Sequence, residues 1–331
     1  MKEESEKEKK IDKENKDTFL LKKRRKFKVI KRVKKKKKKN VTKILDGEIN
    51  NTKSEIIINL RIEEKDIGEN IFFLNPLYYF SRLDENSLTQ FKKIFFTQKN
   101  TKLYINNTEY EFIGHNKFDI AGEYEVKIII YKTLKDCSSL FCDCINISNF
   151  DLSLFNTKEV LDMKNLFKGC INLKYLDLTS INTSKVLYMS SMFKDCYNLK
   201  TIKFSKSCLT KELVNMNSMC CNCKNLISID LSSFDTSNVL DMSFMFYNCE
   251  SLTFLNLSNF KTDKCQNMTS MFENCSNLVN LDLSFFHLNN DVDIKNIFQG
   301  CVKLENIIMT EMLYSRLQHC LGNINVTIIY N

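Results

Sequence analysis

From about residue 134 onward the chain repeats one order of apolar and polar positions, most completely from Met242 to Leu257, MSFMFYNCESLTFLNL. In the form M-x-x-M-F-x-x-C-x-x-L-x-x-L-x-L this order starts at Cys137, Met163, Met189, Met216, Met242, Met268 and Ile294, in steps of 26, 26, 27, 26, 26 and 26 residues. Seven copies at a fixed period predict a solenoid, because such a unit cannot bury its own apolar face and must stack on its neighbours. Within a unit, L-x-x-L-x-L alternates as a short strand with one buried face does. M-x-x-M-F sets apolar groups three and four apart, as one turn of helix or 3₁₀ helix would. The predicted class is therefore α/β: a solenoid of short parallel strands and short helical or 3₁₀ segments over residues 134–310. Leu176/Leu178, Ile202/Phe204, Ile229/Leu231, Leu255/Leu257 and Leu281/Leu283 should point inward.

The pattern changes on either side of the repeats. In residues 54–133, EIIINLRI (Glu55 to Ile62), IFFL (Ile71 to Leu74), KLYI (Lys102 to Ile105), EYEFI (Glu109 to Ile113) and EVKIIIY (Glu125 to Tyr131) are β-branched and aromatic runs that predict strands. Asn106-Asn107 suits a tight hairpin, since asparagine tolerates positive φ. Leu88, Phe91, Ile94 and Phe95 have helical spacing within Ser87 to Phe96. A β-rich block directly before the repeats is expected to cap the open flank of the first unit, with a free-standing binding domain as the alternative. After Ile308 the repeat decays; Met312, Leu313, Leu317 and Cys320 are spaced as in a helix, Gly322 fits a helix stop, and Ile324 to Tyr330 reads as a last strand. Residues 311–331 are the expected C-terminal cap.

The repeat resembles the BspA-like leucine-rich-repeat proteins, in the branch whose units continue L-D-L-S-x-F-x-T-x-x-V. The residues that carry the likeness are Met242, Met245, Phe246, Cys249, Leu252, Leu255, Leu257, Ser258, Phe260 and Thr262, together with Asp230 and the LSSFDTSNV that follows from Leu231. The resemblance covers about residues 134 to 310. It implies a surface or interaction protein that binds through its solenoid and is not an enzyme; family members differ widely in ligand.

Charge separates the chain in another way. Residues 1 to 40 hold 20 Lys/Arg and 7 Asp/Glu, a net of +13, whereas the remainder has a net of −4. Residues 1–53 are expected to form a disordered arm, because the mixed-charge stretch 1 to 17 buries too little apolar surface to offset the entropy of ordering. Residues 22 to 39 are basic at 14 of 18 positions, with Lys22, Lys23, Arg24, Arg25, Lys31, Arg32, Lys34 and Lys35 among them. Such a run reads as a nuclear-import signal, as a polyanion-binding arm for nucleic acid or an acidic membrane surface, or as a solvated tail. Phe19, Leu20 and Leu21 are too short for the core of a secretory signal, and no apolar run approaches a membrane span. The expected location is cytoplasmic or nuclear; the family resemblance offers the cell surface as the alternative, with the chain an adhesin exported without a recognisable signal peptide. The chain is expected to be monomeric.

Between the inward leucines lie two outward rows. One is Asp151, Asp177, Lys203, Asp230, Asn256, Asp282 and Ile308; its neighbour is Ser153, Thr179, Ser205, Ser232, Ser258, Ser284 and Thr310. This polar, mildly acidic face, expected to be concave, is the candidate partner-binding surface, through Asp151, Asp177, Thr179, Asp230, Ser232, Asn256, Ser258, Asp282 and Ser284. The competing reading is structural, with these side chains capping turn backbone. Cys144, Cys170, Cys196, Cys223, Cys249, Cys275 and Cys301 recur once per unit, as a small packed core residue would. Without two C-x-x-C pairs, zinc is not expected. Three scattered histidines and isolated glycines assemble neither a nucleophilic triad nor a phosphate loop, so neither catalysis nor a cofactor is expected.

Overall fold

Each repeat closes one coil of a stack, and the strands of successive coils lie side by side in parallel. The computed structural model describes residues 53–75, 96–257, 259–322 and 327–330. They fall in the compact unit Thr52–Asn331. The basic arm lies outside the described residues, as does the helix expected from Ser87, apart from Phe96.

The repeat strands are β7 (Ile147–Asp151), β8 (Tyr175–Leu178), β9 (Thr201–Phe204), β10 (Ser228–Asp230), β11 (Phe254–Asn256), β12 (Asn280–Asp282) and β13 (Asn306–Met309). The expected inward residues are buried, Leu176 and Leu255 at 0% and 2% exposure among them. A second line of parallel bridges runs through Asp136, Asp162, Tyr188, Asn215, Asp241, Asn267 and Asp293.

The M-x-x-M-F-x-x-C segment is a run of turns and not the helical segment its spacing suggests. In the second coil the N–H groups of Leu166, Lys168 and Cys170 donate three residues back within the segment. Those of Met163, Asn165, Phe167 and Gly169 donate instead to Tyr188, Ser190, Met192 and Lys194 of the next coil. A helix would turn every N–H back on its own chain and leave the coils unjoined. The alternation needs left-handed backbone at the third and seventh positions, as at Asn165 (φ 56°) and Gly169 (φ 71°), and again at Ser270 and Asn274. The seventh position is always Asp, Asn or Gly, the types that adopt that conformation at least cost.

Side chains stack in columns down the core. Phe141, Phe167 and Phe193 lie parallel at 5.6 and 6.0 Å, and Phe246, Phe272 and Phe298 at 6.1 Å. The cysteine column does more than fill space: each buried thiol from Cys170 to Cys301 donates to a carbonyl of the preceding coil, as Cys170 does to Phe141 (3.2 Å) and Cys249 to Cys220 (3.2 Å).

The N-terminal block is β1 (Lys53–Ile62), a 3₁₀ turn (Glu64–Asp66), β2 (Ile71–Phe72), β3 (Thr101–Ile105), β4 (Thr108–Tyr110), β5 (His115–Asn116) and β6 (Gly122–Tyr131). Asn106 and Asn107 both have positive φ and form the β3–β4 hairpin that their type favours. The sheet order β4-β3-β6-β1-β7 carries the block into the first coil, with β1 antiparallel to β7. Asn75 then supplies what a preceding coil would have supplied: its backbone N–H donates to the Leu140 carbonyl (2.9 Å) and its side-chain amide to that of Cys142 (3.3 Å). At the other end Thr310 caps α1 (Glu311–Leu321) by accepting from the Leu313 N–H (3.2 Å), Gly322 ends it with φ 54°, and β14 (Thr327–Tyr330) pairs with β13. Leu313, Leu317 and Leu321 turn inward over the last coil.

Candidate interaction face

The strand period turns one side of every repeat strand outward, and within each sheet the register aligns the outward residues. Tyr175, Thr201, Ser228 and Phe254 stand in one row, and Asp177 lies beside Lys203 on the next strand. Asn280, Asn306 and Thr327 form the corresponding row farther on. Because β1 pairs with β7, the surface continues into the N-terminal block: Asn59 faces Asn149, Ile57 faces Asp151, Ile57 also faces Lys127, and Lys127 faces Tyr104. Lys127 sits 5.9 Å from the Tyr104 ring centroid. The block therefore widens the face as well as flanking it.

The acidic side chains on this surface hold the backbone at each strand's end. Asp151, Asp177, Asp230 and Asp282 accept from the N–H two residues on, of Ser153, Thr179, Ser232 and Ser284, at 2.9, 2.9, 3.0 and 2.9 Å. The Thr179 hydroxyl adds a bond of 2.6 Å to Asp177 and Tyr175 another of 3.2 Å. These bonds favour the ionised form. The Thr179 hydroxyl and N–H hold Asp177 below the usual carboxylate range, as Ser232 does for Asp230 and the Ser153 N–H for Asp151. Asp151, Thr179 and Asp230 are exposed, Asp177, Ser232, Asn256 and Asp282 half-buried, and Ser284 buried; Ser258 lies outside the described residues. Of the proposed contact residues, then, the carboxylates are already engaged in turns, and Ser284 presents little surface.

What the two polar rows omit is the aromatic surface beside them, two residues before the Asp/Asn row. Phe254 is 61% exposed and Tyr175 43% exposed, both on strands and both outward. Their signal in the sequence is position, since each lies immediately before an inward leucine where neighbouring units carry Thr, Ser or Asn. Lys203 reaches Asp177 at 3.9 Å and brings positive charge to the middle of the face.

Other candidate groups lie apart from one another. His115 packs on Phe72 at 5.1 Å between ring centroids, and burial lowers its pKa. His287 lies in the loop after β12 and His319 on α1. Cys220, Cys221 and Cys223 are buried, and burial raises Cys221 to about 11. Among the described residues no three His, Cys, Asp or Glu side chains are grouped to hold a metal, and no helix is long and apolar enough to cross a membrane.

Residues 115–207 and 204–311, more than half of the chain, match the sequence profile of the family described as "Mycoplasma protein of unknown function, DUF285". The chain belongs to this family. The matched region holds the repeats together with β5 and β6, so the family's unit reaches into the N-terminal block. A leucine-rich repeat protein of solved structure from Bacteroides ovatus ATCC 8483 is similar over 60% of this chain, at 17% identity and a TM-score of 0.31; the chain spans 58% of that protein. No curated protein matches the chain.

Proposed function

We propose that this member of the DUF285 family is a non-catalytic protein-interaction module that binds a partner protein through the strand-lined face of its solenoid. The supporting observation is the alignment of outward residues on that face: the N-terminal block is in register with the first repeat strand, β8 to β11 share a register of their own, and Tyr175 and Phe254 stand exposed among polar neighbours. Exposed aromatics among small polar groups suit a binding surface, because rings bury large area at low entropic cost. The aspartates set the backbone and the aromatics with Lys203 make contact. The resemblance of the repeat to BspA-like proteins supports the same role.

The test is site-specific photo-crosslinking in the native host, with the crosslinker at Phe254 or Tyr175 on the strand face and at Lys164 on the turn side. One partner captured from the strand positions, and lost when Phe254→Ala and Lys203→Glu are combined in a folded protein, is the expected result. Equal capture from Lys164 would overturn the reading.

A second reading rests on the run of 14 basic residues in 22–39. An arm of this charge would bind nucleic acid or an acidic membrane surface by counterion release, with affinity falling steeply as salt rises. Binding of the full chain to a duplex of random sequence, compared with a chain lacking residues 1–40, separates this from the strand-face reading.

A further inference from the structure

The stack ends on an unanswered set of donors. In the sixth coil the N–H groups of Met268, Ser270, Phe272 and Asn274 donate to Asp293, Lys295, Ile297 and Gln299 of the seventh, at 2.7, 2.8, 3.1 and 2.7 Å. The equivalent groups of the seventh coil belong to Ile294, Asn296, Phe298 and Gly300. Ile297, Gln299 and Cys301, which alternate with them, bond within their own segment, and the Lys295 N–H goes to Asp293 (3.0 Å). Among the described residues nothing accepts from the four. Asn296 and Gly300 keep the left-handed backbone that aims such groups at a following coil, at φ 58° and 75°. Gly300 is half-buried where Gly169, at the same place inside the stack, is buried.

Three of these donors, those of Ile294, Asn296 and Gly300, lie along a groove of about 900 Å³ between the last coil and α1, with Arg316, His319 and Cys320 on its other side; the fourth, at Phe298, is buried. The buried side of α1 covers the apolar end of the core, so the groove offers backbone donors and polar side chains. Its charge is uneven. Lys295 and Arg316 line it against one carboxylate, Asp293, and the Arg316 guanidinium is held by oxygens of Asn289 and Asn290 and not by an acid.

We propose that this groove receives an extended acidic segment of a partner protein, whose carbonyls take the N–H groups of Ile294, Asn296 and Gly300 as those of a further coil would. The inter-coil contact within the molecule already shows what such a row accepts. Donors two residues apart along a chain are spread too widely for one oxyanion and match the carbonyl spacing of a peptide backbone. The site is independent of the strand face.

The experiment follows amide exchange in the full chain, with a synthetic peptide of residues 290–302, NDVDIKNIFQGCV, as the probe. In the free protein the amides of Ile294, Asn296 and Gly300 should exchange about 100-fold or more faster than those of Met268, Ser270 and Asn274, because an unbonded N–H needs no opening. Saturating peptide should slow all three, and Lys295→Glu should weaken the peptide about tenfold without changing the melting temperature. The proposal is overturned if the three amides are already protected in the free chain. It is equally overturned if the peptide leaves them unprotected, or if inorganic phosphate protects them and the peptide does not.

Discussion

The hydroxyl of Thr236 accepts from the backbone N–H of Lys261 at 2.8 Å and donates to the carbonyl of the same residue at 2.9 Å. One buried side chain thus satisfies both backbone groups of a residue in the next coil. Thr157 does this for Asn182, Thr210 for Asp235 and Thr262 for His287. At the next step the position holds Leu288 and the column ends. Thr236→Val keeps the shape and strands two buried polar groups, each worth about 1–3 kcal/mol. Denaturant unfolding should show a loss of that order, and Thr236→Ser should recover most of it.

A second prediction concerns a compensated defect. Cys220 stands where other coils place phenylalanine, and Cys208 replaces the phenylalanine of the L-S-x-F position. Phe204 takes the place of leucine one coil earlier, with its ring edge-on to Phe193 (6.3 Å) and Phe234 (4.9 Å). This is the stretch where the period lengthens to 27 residues. Phe204→Leu should leave space and Cys220→Phe should overpack, each costing about 1–3 kcal/mol. Together they restore the common pattern, and a double-mutant cycle should give a favourable coupling above about 0.5 kcal/mol. Additive losses would mean that the two sites do not share volume.

Thiol reactivity checks the cysteine column. Thirteen of the cysteines are buried and Cys320 is half-buried. Burial raises the thiol of Cys301 to about 12 and that of Cys265 to about 11. At pH 8 these groups hold little thiolate, and the thiolate is the nucleophile. A chromogenic disulfide reagent should titrate one thiol, Cys320, in the native protein, and the rest only on unfolding.

Most of the architecture was legible because it rests on period. The buried leucines, the Asn106-Asn107 hairpin and the helix before Gly322 each follow from spacing or residue type. The turn segment was misread because Met242, Met245 and Phe246 have helical spacing, while the deciding signal lies in the polar positions. An Asp, Asn or Gly immediately before every repeat cysteine, from Asp143 to Gly300, marks left-handed backbone that a helix cannot contain. On the face, the regular Asp and Ser rows drew attention because they repeat. Repetition there reflects the turn at each strand's end, and the irregular residues Tyr175, Lys203 and Phe254 distinguish one coil from another.

The turn aspartates give stability a pH dependence of definite sign. Hydrogen bonds place Asp151, Asp177 and Asp230 below their ordinary range in the folded chain. Their contribution is complete above the unfolded value of about 3.9 and declines as pH falls through the folded values. Melting temperature should therefore drop below about pH 4. Replacing the three by asparagine, which still offers an oxygen to the N–H two residues on, should make that drop shallower. An unchanged acid limb would assign the sensitivity to other carboxylates.

The last prediction concerns the C-terminal end. Leu313 and Leu317 are 3% and 1% exposed, and they owe that burial to α1 lying across the seventh coil. A chain ending at Met309 loses α1 and β14 and leaves Ile307 and Met309, now fully buried, at an open edge. In a solenoid each coil is stabilised mainly by its neighbours, so the loss should spread inward from that edge. The truncated chain should melt at a lower temperature, with faster amide exchange in the sixth and seventh coils than in the second and third, which lie far from the cut and near the end that the N-terminal block caps. If it stays soluble and melts at the temperature of the full chain, α1 is an appendage and the seventh coil is its own cap.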